Sequence, residues 1–189
     1  MTESKSDQFV NILGPRLTRL EEVENFFYLA ARNGWADGTE GTVICEQDDA
    51  TGTPEWKEVK LRFSFPFSGY LFEDRWGTDP DSGRPSGHTI ISYKGMPVWV
   101  MWTGGNTYKE DVYDFLRETL CIAYRRQEFF GGRGPKEYRR GNLLYTNEFE
   151  GDFSCFHGHE SIHYVNADGS KVLAGSHDYW GGSLVFLPK

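Results

Sequence analysis

Residues 88–98 read His88-Thr-Ile-Ile-Ser-Tyr93-Lys-Gly95-Met-Pro-Val98, and the chain runs on to Gly104-Gly105. Polar and apolar residues alternate up to Tyr93, Lys94-Gly95 supplies turn chemistry, and Val98–Trp102 resumes in strand-forming residues. That is the pattern of an antiparallel hairpin. Further along, Glu160-Ser-Ile-His-Tyr164 continues through Gly169 and Val172 to Gly181-Gly182. Each segment has a strand ending in Tyr, a Gly turn, a second strand opening on Val, and a Gly-Gly exit that permits a bend. Hairpin chemistry alone also generates such a match, so it reads either as duplication or as convergence. The fold expected is α+β: a mainly antiparallel, curved sheet built from two similar strand sets, with two covering helices.

Outward from the first hairpin, Lys57–Phe65 alternates, with Val59, Leu61, Phe63 and Phe65 on one face, and predicts a half-buried strand ended by Pro66. Tyr70–Trp76 predicts another, Gly77–Gly87 a long exposed loop, and Thr42–Glu46 a short strand. Thr18 and Glu21 have capping-box spacing ahead of an apolar stripe, Leu20, Val23, Phe27 and Ala30, that stops at Asn33-Gly34. A second helix is expected from Lys109 to Arg126, with acids in its first turns and Arg125 and Arg126 at its end. Beyond the glycine-rich break at 129–135, strands are expected at Leu143–Glu148, Phe153–Phe156, Ser161–Tyr164, Val172–Tyr179 and Leu184–Leu187. Residues 1–17 read as a polar tail and 18–189 as a single α+β domain.

The chain has 189 residues, 16% of them aromatic, and 22 glycines, which favours strands and turns over helix. Its net charge of −8 argues against general nucleic-acid binding, which needs clustered Lys and Arg. Cys45, Cys121 and Cys155 are far apart, without CxxC, and read as reduced thiols. The N-terminus lacks an apolar signal-peptide core, and no apolar run is long enough to cross a bilayer. A cytoplasmic location is expected.

Several dispersed motifs carry a family resemblance. They are Tyr93-Lys-Gly95-Met-Pro97-Val98-Trp99, Gly104, Asp114-Phe115-Leu116 in the second helix, and Arg133-Gly134-Pro135. Tyr138, Gly141, Tyr145, Gly151-Asp152-Phe153, Phe156-His-Gly158, Glu160-Ser-Ile162-His-Tyr164 and Gly181-Gly182 follow. Over roughly Val23 to Gly182 the sequence resembles an uncharacterised bacterial family of domains of unknown function, the 5680 type, sometimes fused to XRE-type helix-turn-helix domains. His88 stands where that pattern often has a carboxylate or Gln, and His157, His159 and His163 are not part of it. The resemblance implies a fold and a link to bacterial regulation, but no activity. No helix-turn-helix domain is expected before Thr18.

Three constellations could carry chemistry. His157, His159 and His163 would share a face of an extended strand, with Glu160 opposite and Gly158 as a possible bend. Three imidazoles can hold zinc with an open position for water, the basis of a metal-dependent hydrolase. The competing reading is a polar strand face. Second, Arg125, Arg126, Arg133, Lys136, Arg139 and Arg140 outnumber Glu128 and Glu137 around Gly131, Gly132 and Gly134. Such a segment can present amides and guanidinium groups to an anion. Read blandly, it is a basic helix end and a connector. Third, Trp99, Trp102, Tyr179 and Trp180 flank the two Gly-Gly pairs and either line a pocket for a planar ligand or belong to the core. No nucleophile elbow is present.

These observations favour a binding or regulatory module over an enzyme, for a small anionic or planar ligand or a protein partner. Arg133, Arg139, Trp99, Trp102, Glu160 and Tyr164 are the candidate ligand-binding residues. The alternatives are the hydrolase built on His157, His159 and His163, and an acidic inhibitor or antitoxin-like protein. No cofactor is specified.

Overall fold

The computed structural model describes residues 20–45, 55–79 and 81–184, without the side chain of Cys45. Helix α1 (Leu20–Ala31) and a short 3-10 turn (Trp35–Asp37) precede β1 (Thr42–Cys45), β2 (Trp56–Leu61), β3 (Tyr70–Thr78), β4 (Pro85–Tyr93) and β5 (Met96–Asn106). A 3-10 turn (Glu110–Val112) leads into α2 (Tyr113–Arg126), followed by β6 (Glu137–Arg140), β7 (Leu143–Asp152), β8 (Cys155–Val165) and β9 (Lys171–Ser183). The fold is α+β.

The strands form one sheet in the order β1-β2-β3-β4-β5-β9-β8-β7-β6, every described neighbour antiparallel. Five strands meander in from one edge and four from the other. They meet where β5 pairs with β9, from Trp99↔Ser183 through Trp102↔Trp180 to Asn106↔Ser176. The Gly-Gly pairs lie inside these two strands and do not bend their exits. A Cβ on Gly105 would sit 2.4 Å from the Ser176 carbonyl oxygen, and one on Gly181 2.3 Å from that of Val100. The glycines permit close backbone approach at the seam.

One face of the sheet is covered by both helices. Phe26 stacks on Tyr70 at 4.9 Å, and Phe27 packs on Trp99 at 5.0 Å. From α2, Phe115, Leu116, Leu120 and Ala123 are buried, with Phe115 stacked on Tyr138. The other face exposes a continuous cross-strand row, Arg75, His88, Trp102, Trp180, His157 and Glu150. Trp102 stacks on Trp180 there at 6.1 Å.

Several expected boundaries shift. The capping residue Thr18 lies outside the described residues. Strand β2 ends at Leu61, because the chain then leaves the sheet to lay Phe63 and Phe67 against Phe26; Phe65 is 87% exposed. The long loop expected at 77–87 is shorter, because β3 runs to Thr78 and β4 begins at Pro85, with Gly77↔Ser86 and Trp76↔Gly87 paired. Gly87 serves close approach, its Cβ position being 2.7 Å from the Arg75 carbonyl oxygen. Phe153–Phe156 and Ser161–Tyr164 do not form two strands: Cys155–Val165 is one strand through Gly158, and β6 was not anticipated. Leu184 follows β9, and residues 185–187 lie outside the described residues.

Leu116 is 2% exposed on the covering face of α2. Leu116→Ala is expected to cost about 2–5 kcal/mol in urea unfolding. An unchanged midpoint would show that α2 does not anchor the sheet.

Candidate ligand-binding site

The site grows from Glu160, a charged side chain with no exposed surface in the middle of β8. Alternation along β8 turns Glu160 to the helix-covered face, between Asn147 of β7 and His177 of β9. An isolated carboxylate there would be prohibitively costly, so it must be paired and hydrogen-bonded. Arg133 donates from Nη2 to its Oε1, Tyr108 donates to the same oxygen at 3.0 Å, and Tyr145 donates to Oε2 at 2.6 Å. Burial pushes the Glu160 carboxyl up, but the Arg133 guanidinium and these donors hold it below its ordinary range. Burial and the neighbouring Glu160 carboxylate push the Tyr108 and Tyr145 hydroxyls far up, so both stay protonated donors.

Arg133 arrives on the connector between α2 and β6, which is fixed by side chains. Tyr124 donates to the Gly132 carbonyl oxygen at 3.0 Å, and Tyr145 accepts from the Gly134 amide at 3.0 Å. Asn147 Nδ2 donates to the carbonyl oxygens of Phe130 at 2.9 Å and Gly134 at 2.8 Å. Tyr179 in turn donates to Asn147 Oδ1 at 2.5 Å. Gly131 has φ +67° and packs where a Cβ would meet the Tyr179 ring at 2.5 Å. A Cβ on Gly134 would meet Thr119 at 2.8 Å and the Tyr145 ring at 2.9 Å. These glycines permit dense packing and backbone hydrogen bonds, not an amide cradle for an anion.

Beside the ion pair opens a cavity of about 600 Å³. Its more buried lining includes Asp74, Tyr108, Arg133 and His177; Trp35, Trp76, Tyr113, Arg117 and Lys57 line it as well. A second void of about 40 Å³ shares Trp35, Asp74 and Arg133. Asp74 accepts a hydrogen bond from Thr89 at 2.9 Å. Burial lifts its carboxyl to about 6 against that bond and the field of Arg133. Burial drops the His177 imidazole to about 4, so the ring is neutral at pH 7. Its Nδ1 is 3.7 Å from Glu160 Oε1, beyond hydrogen-bonding range. Three residues that line this cavity carry buried nitrogens with no protein partner: Arg133 Nε, Arg117 Nε and both ring nitrogens of His177.

The six candidate ligand-binding residues do not converge as a set. Arg133 and Glu160 meet in the ion pair. Trp99 is fully buried, with its indole N–H donated to the Phe153 carbonyl oxygen at 3.0 Å. Trp102 lies on the opposite, exposed face of the sheet. Arg139 reaches the Gly141 carbonyl oxygen, and Tyr164 donates to Asp111. The basic segment disperses likewise: Arg125 pairs with Asp37, Arg126 with Glu128 and Arg140 with Glu118. The three histidines share a face of β8, whose register with β7 is unbroken, but His157 faces Glu150 at 3.6 Å and His159 faces Asp178 at 2.7 Å. Among the described residues no group of three or more His, Cys, Asp or Glu is placed to hold a metal ion. Tyr108, His177, Asp74 and Trp35 were missed. His177 carries no sequence signal of its own, since the β9 register that pairs it with Glu160 exists only once the sheet is formed.

The chain matches the family described as Domain of unknown function (DUF5680) over residues 82–184, just over half its length. It belongs to that family. No match was found among curated proteins or among solved structures. Within this DUF5680 chain the matched segment holds the whole of the Glu160 network, with Tyr108, Arg133, Tyr145 and His177. The walls contributed by Trp35, Asp74 and Trp76 come from outside it.

Two outcomes follow from the charges. Glu160→Gln leaves Arg133 buried without its counter-ion and should cost about 3–5 kcal/mol in denaturant unfolding. Pairing it with Arg133→Met should lose less than the sum of the single variants; additive losses would mean that the pair is uncoupled. The Asp74 carboxyl is raised from 3.8 to about 6 in the folded chain, so its contribution lowers stability as pH rises through that window. Asp74→Asn should therefore stabilise by about 1–3 kcal/mol at pH 8 and by nothing below pH 4. A pH-independent difference would contradict this reading.

Proposed function

We propose that this chain is a binding module whose ligand is a small planar molecule carrying an acidic group, taken into the cavity beside the Arg133–Glu160 pair. One observation carries the reading: residues that line a single cavity, Arg117, Arg133 and His177, hold four buried nitrogens without protein partners. Buried polar groups are normally hydrogen-bonded, and orphaned ones are costly. Their concentration in residues around one cavity supports a ligand there. A few polar groups among apolar and aromatic walls, in several hundred cubic ångströms, is the usual make-up of a small-molecule site. Trp35, Trp76 and Tyr113 supply the rings, and Arg117, stacked 4.9 Å over Trp35, supplies a cation at the wall.

The working location proposed is the cytoplasm, supported by the free thiols of Cys121 and Cys155. No helix among the described residues is long and apolar enough to cross a membrane. We read the two meanders as an ancestral duplication, supported by the hairpins β4–β5 and β8–β9 flanking the seam with their Trp102 and Trp180 directly opposed.

Native mass spectrometry of freshly purified protein is expected to show a bound small molecule. Compounds of the proposed class should raise the Tm at constant ionic strength by mass action. Arg117→Ala should keep the fold and weaken the shift. A bare native mass, together with no Tm response to planar acids, would overturn the proposal.

A further inference from the structure

One charge deep in the cavity has no counter-ion among the described residues. Nearer the outside, Lys57 pairs with Glu55 at 3.0 Å, and in the interior Arg133 is committed to Glu160. Asp74 stands apart. Its Oδ1 accepts a hydrogen bond from Thr89 at 2.9 Å, but among the described residues no donor reaches its Oδ2 and no Lys, Arg or His pairs with it. Burial lifts the carboxyl only to about 6, so it is ionised at pH 7. A hydroxyl donor does not neutralise a charge, and a desolvated carboxylate without a counter-ion is costly. Glu160 has no exposed surface, whereas Asp74 keeps accessible surface and lines the cavity.

The neighbourhood of this carboxylate fits a cation. Asp74 and Trp76 are two apart in β3, so both turn to the helix-covered face, roughly 7 Å apart along the strand. Opposite Trp76 in β4 stands Gly87, which lines the cavity and leaves room over the sheet beside the two side chains. The carboxylate offers a charge and an acceptor, and the indole face attracts cations. At the wall, Arg117 is held loosely, with Asp114 at 3.8 Å and its guanidinium over Trp35. The cavity thus presents a negative charge at depth and a positive one at its wall.

We propose that the deep end takes a protonated amine or amidinium on Asp74 beside Trp76. The ligand is then an amphoteric aromatic compound, with a basic nitrogen at this end and its acidic group against Arg117. This rests on the binding reading above and specifies it. The carboxylate that destabilises the chain by itself becomes one half of an ion pair in the complex.

The test is calorimetric titration of the full chain, at constant pH and ionic strength, with a matched series of probes. These are 4-(aminomethyl)benzoate, 4-amidinobenzoate, the uncharged isostere 4-(hydroxymethyl)benzoate, terephthalate and benzoate. At least one cationic probe should bind at least about tenfold more tightly than the hydroxymethyl isostere, and terephthalate should bind more weakly than either. Asp74→Asn, shown folded by its Tm, should abolish the advantage of the cationic probe. A ligand seen in native mass spectrometry should contain a basic nitrogen. Equal affinity for the cationic and hydroxymethyl probes, tighter binding of terephthalate, or an advantage that persists in Asp74→Asn would overturn the Asp74 assignment and leave the binding module standing. So would a native-mass ligand without a basic nitrogen. A bare native mass together with no response to any probe would overturn both.

Discussion

A carboxylate with no exposed surface cannot remain in a protein interior unless other groups replace the water it has lost. Glu160 is that group here, and the middle of the molecule is arranged around it. It draws Arg133 from the α2–β6 connector, Tyr108 from the segment before α2, and Tyr145 from β7. Two strands and two connections are thereby tied at one point. The ion pair is not a large source of stability, since desolvating both partners offsets much of their attraction. Its effect is to make every alternative arrangement worse, because any displacement leaves a buried charge uncompensated.

The connector's glycines follow from the same requirement. Arg133 can reach Glu160 only if the chain passes close over Tyr179 and Tyr145, where side chains at 131 and 134 would collide with the rings. The carbonyl and amide groups exposed by such a path must be satisfied, and Tyr124, Asn147 and Tyr145 satisfy them. A buried loop is stable only when its backbone polar groups are accounted for in this way. The same network fills the acceptor positions of Glu160 but leaves Arg133 Nε and the ring of His177 unpartnered. Structural constraint and the proposed ligand site are two sides of one network.

The two halves of the chain contribute unequally to that site. The segment shared with the DUF5680 family supplies the ion pair, both tyrosines and His177. Trp35, Asp74 and Trp76 come from the first part of the chain. Asp74 sits in a strand whose alternation directs it inward, two residues from Phe72, and Thr89 opposite it supplies a donor. The polar positions on the covered face thus lie in register across the sheet.

Local sequence chemistry determined what needs only neighbours along the chain. The stripe Phe115, Leu116, Leu120 marks a covered helix face, and the alternation of residues 88–93 marks a strand, because side-chain periodicity is fixed by backbone geometry. Arg133 and Glu160 stood out as unusual residues. Tertiary structure alone decided that they belong together. The 26 intervening residues carry no signal that two strands later the register sets Glu160 beneath the connector. It also dispersed the basic cluster, whose members lie on a helix end, a connector and an edge strand, with Arg125, Arg126, Arg133 and Arg140 paired to separate acids. The glycines show the same limit. Their spacing reads as turns, yet Gly105, Gly158 and Gly181 are strand residues whose missing Cβ leaves room for a neighbour. Periodicity is local and therefore legible, whereas steric room and charge compensation depend on which atoms the finished fold brings within a few ångströms.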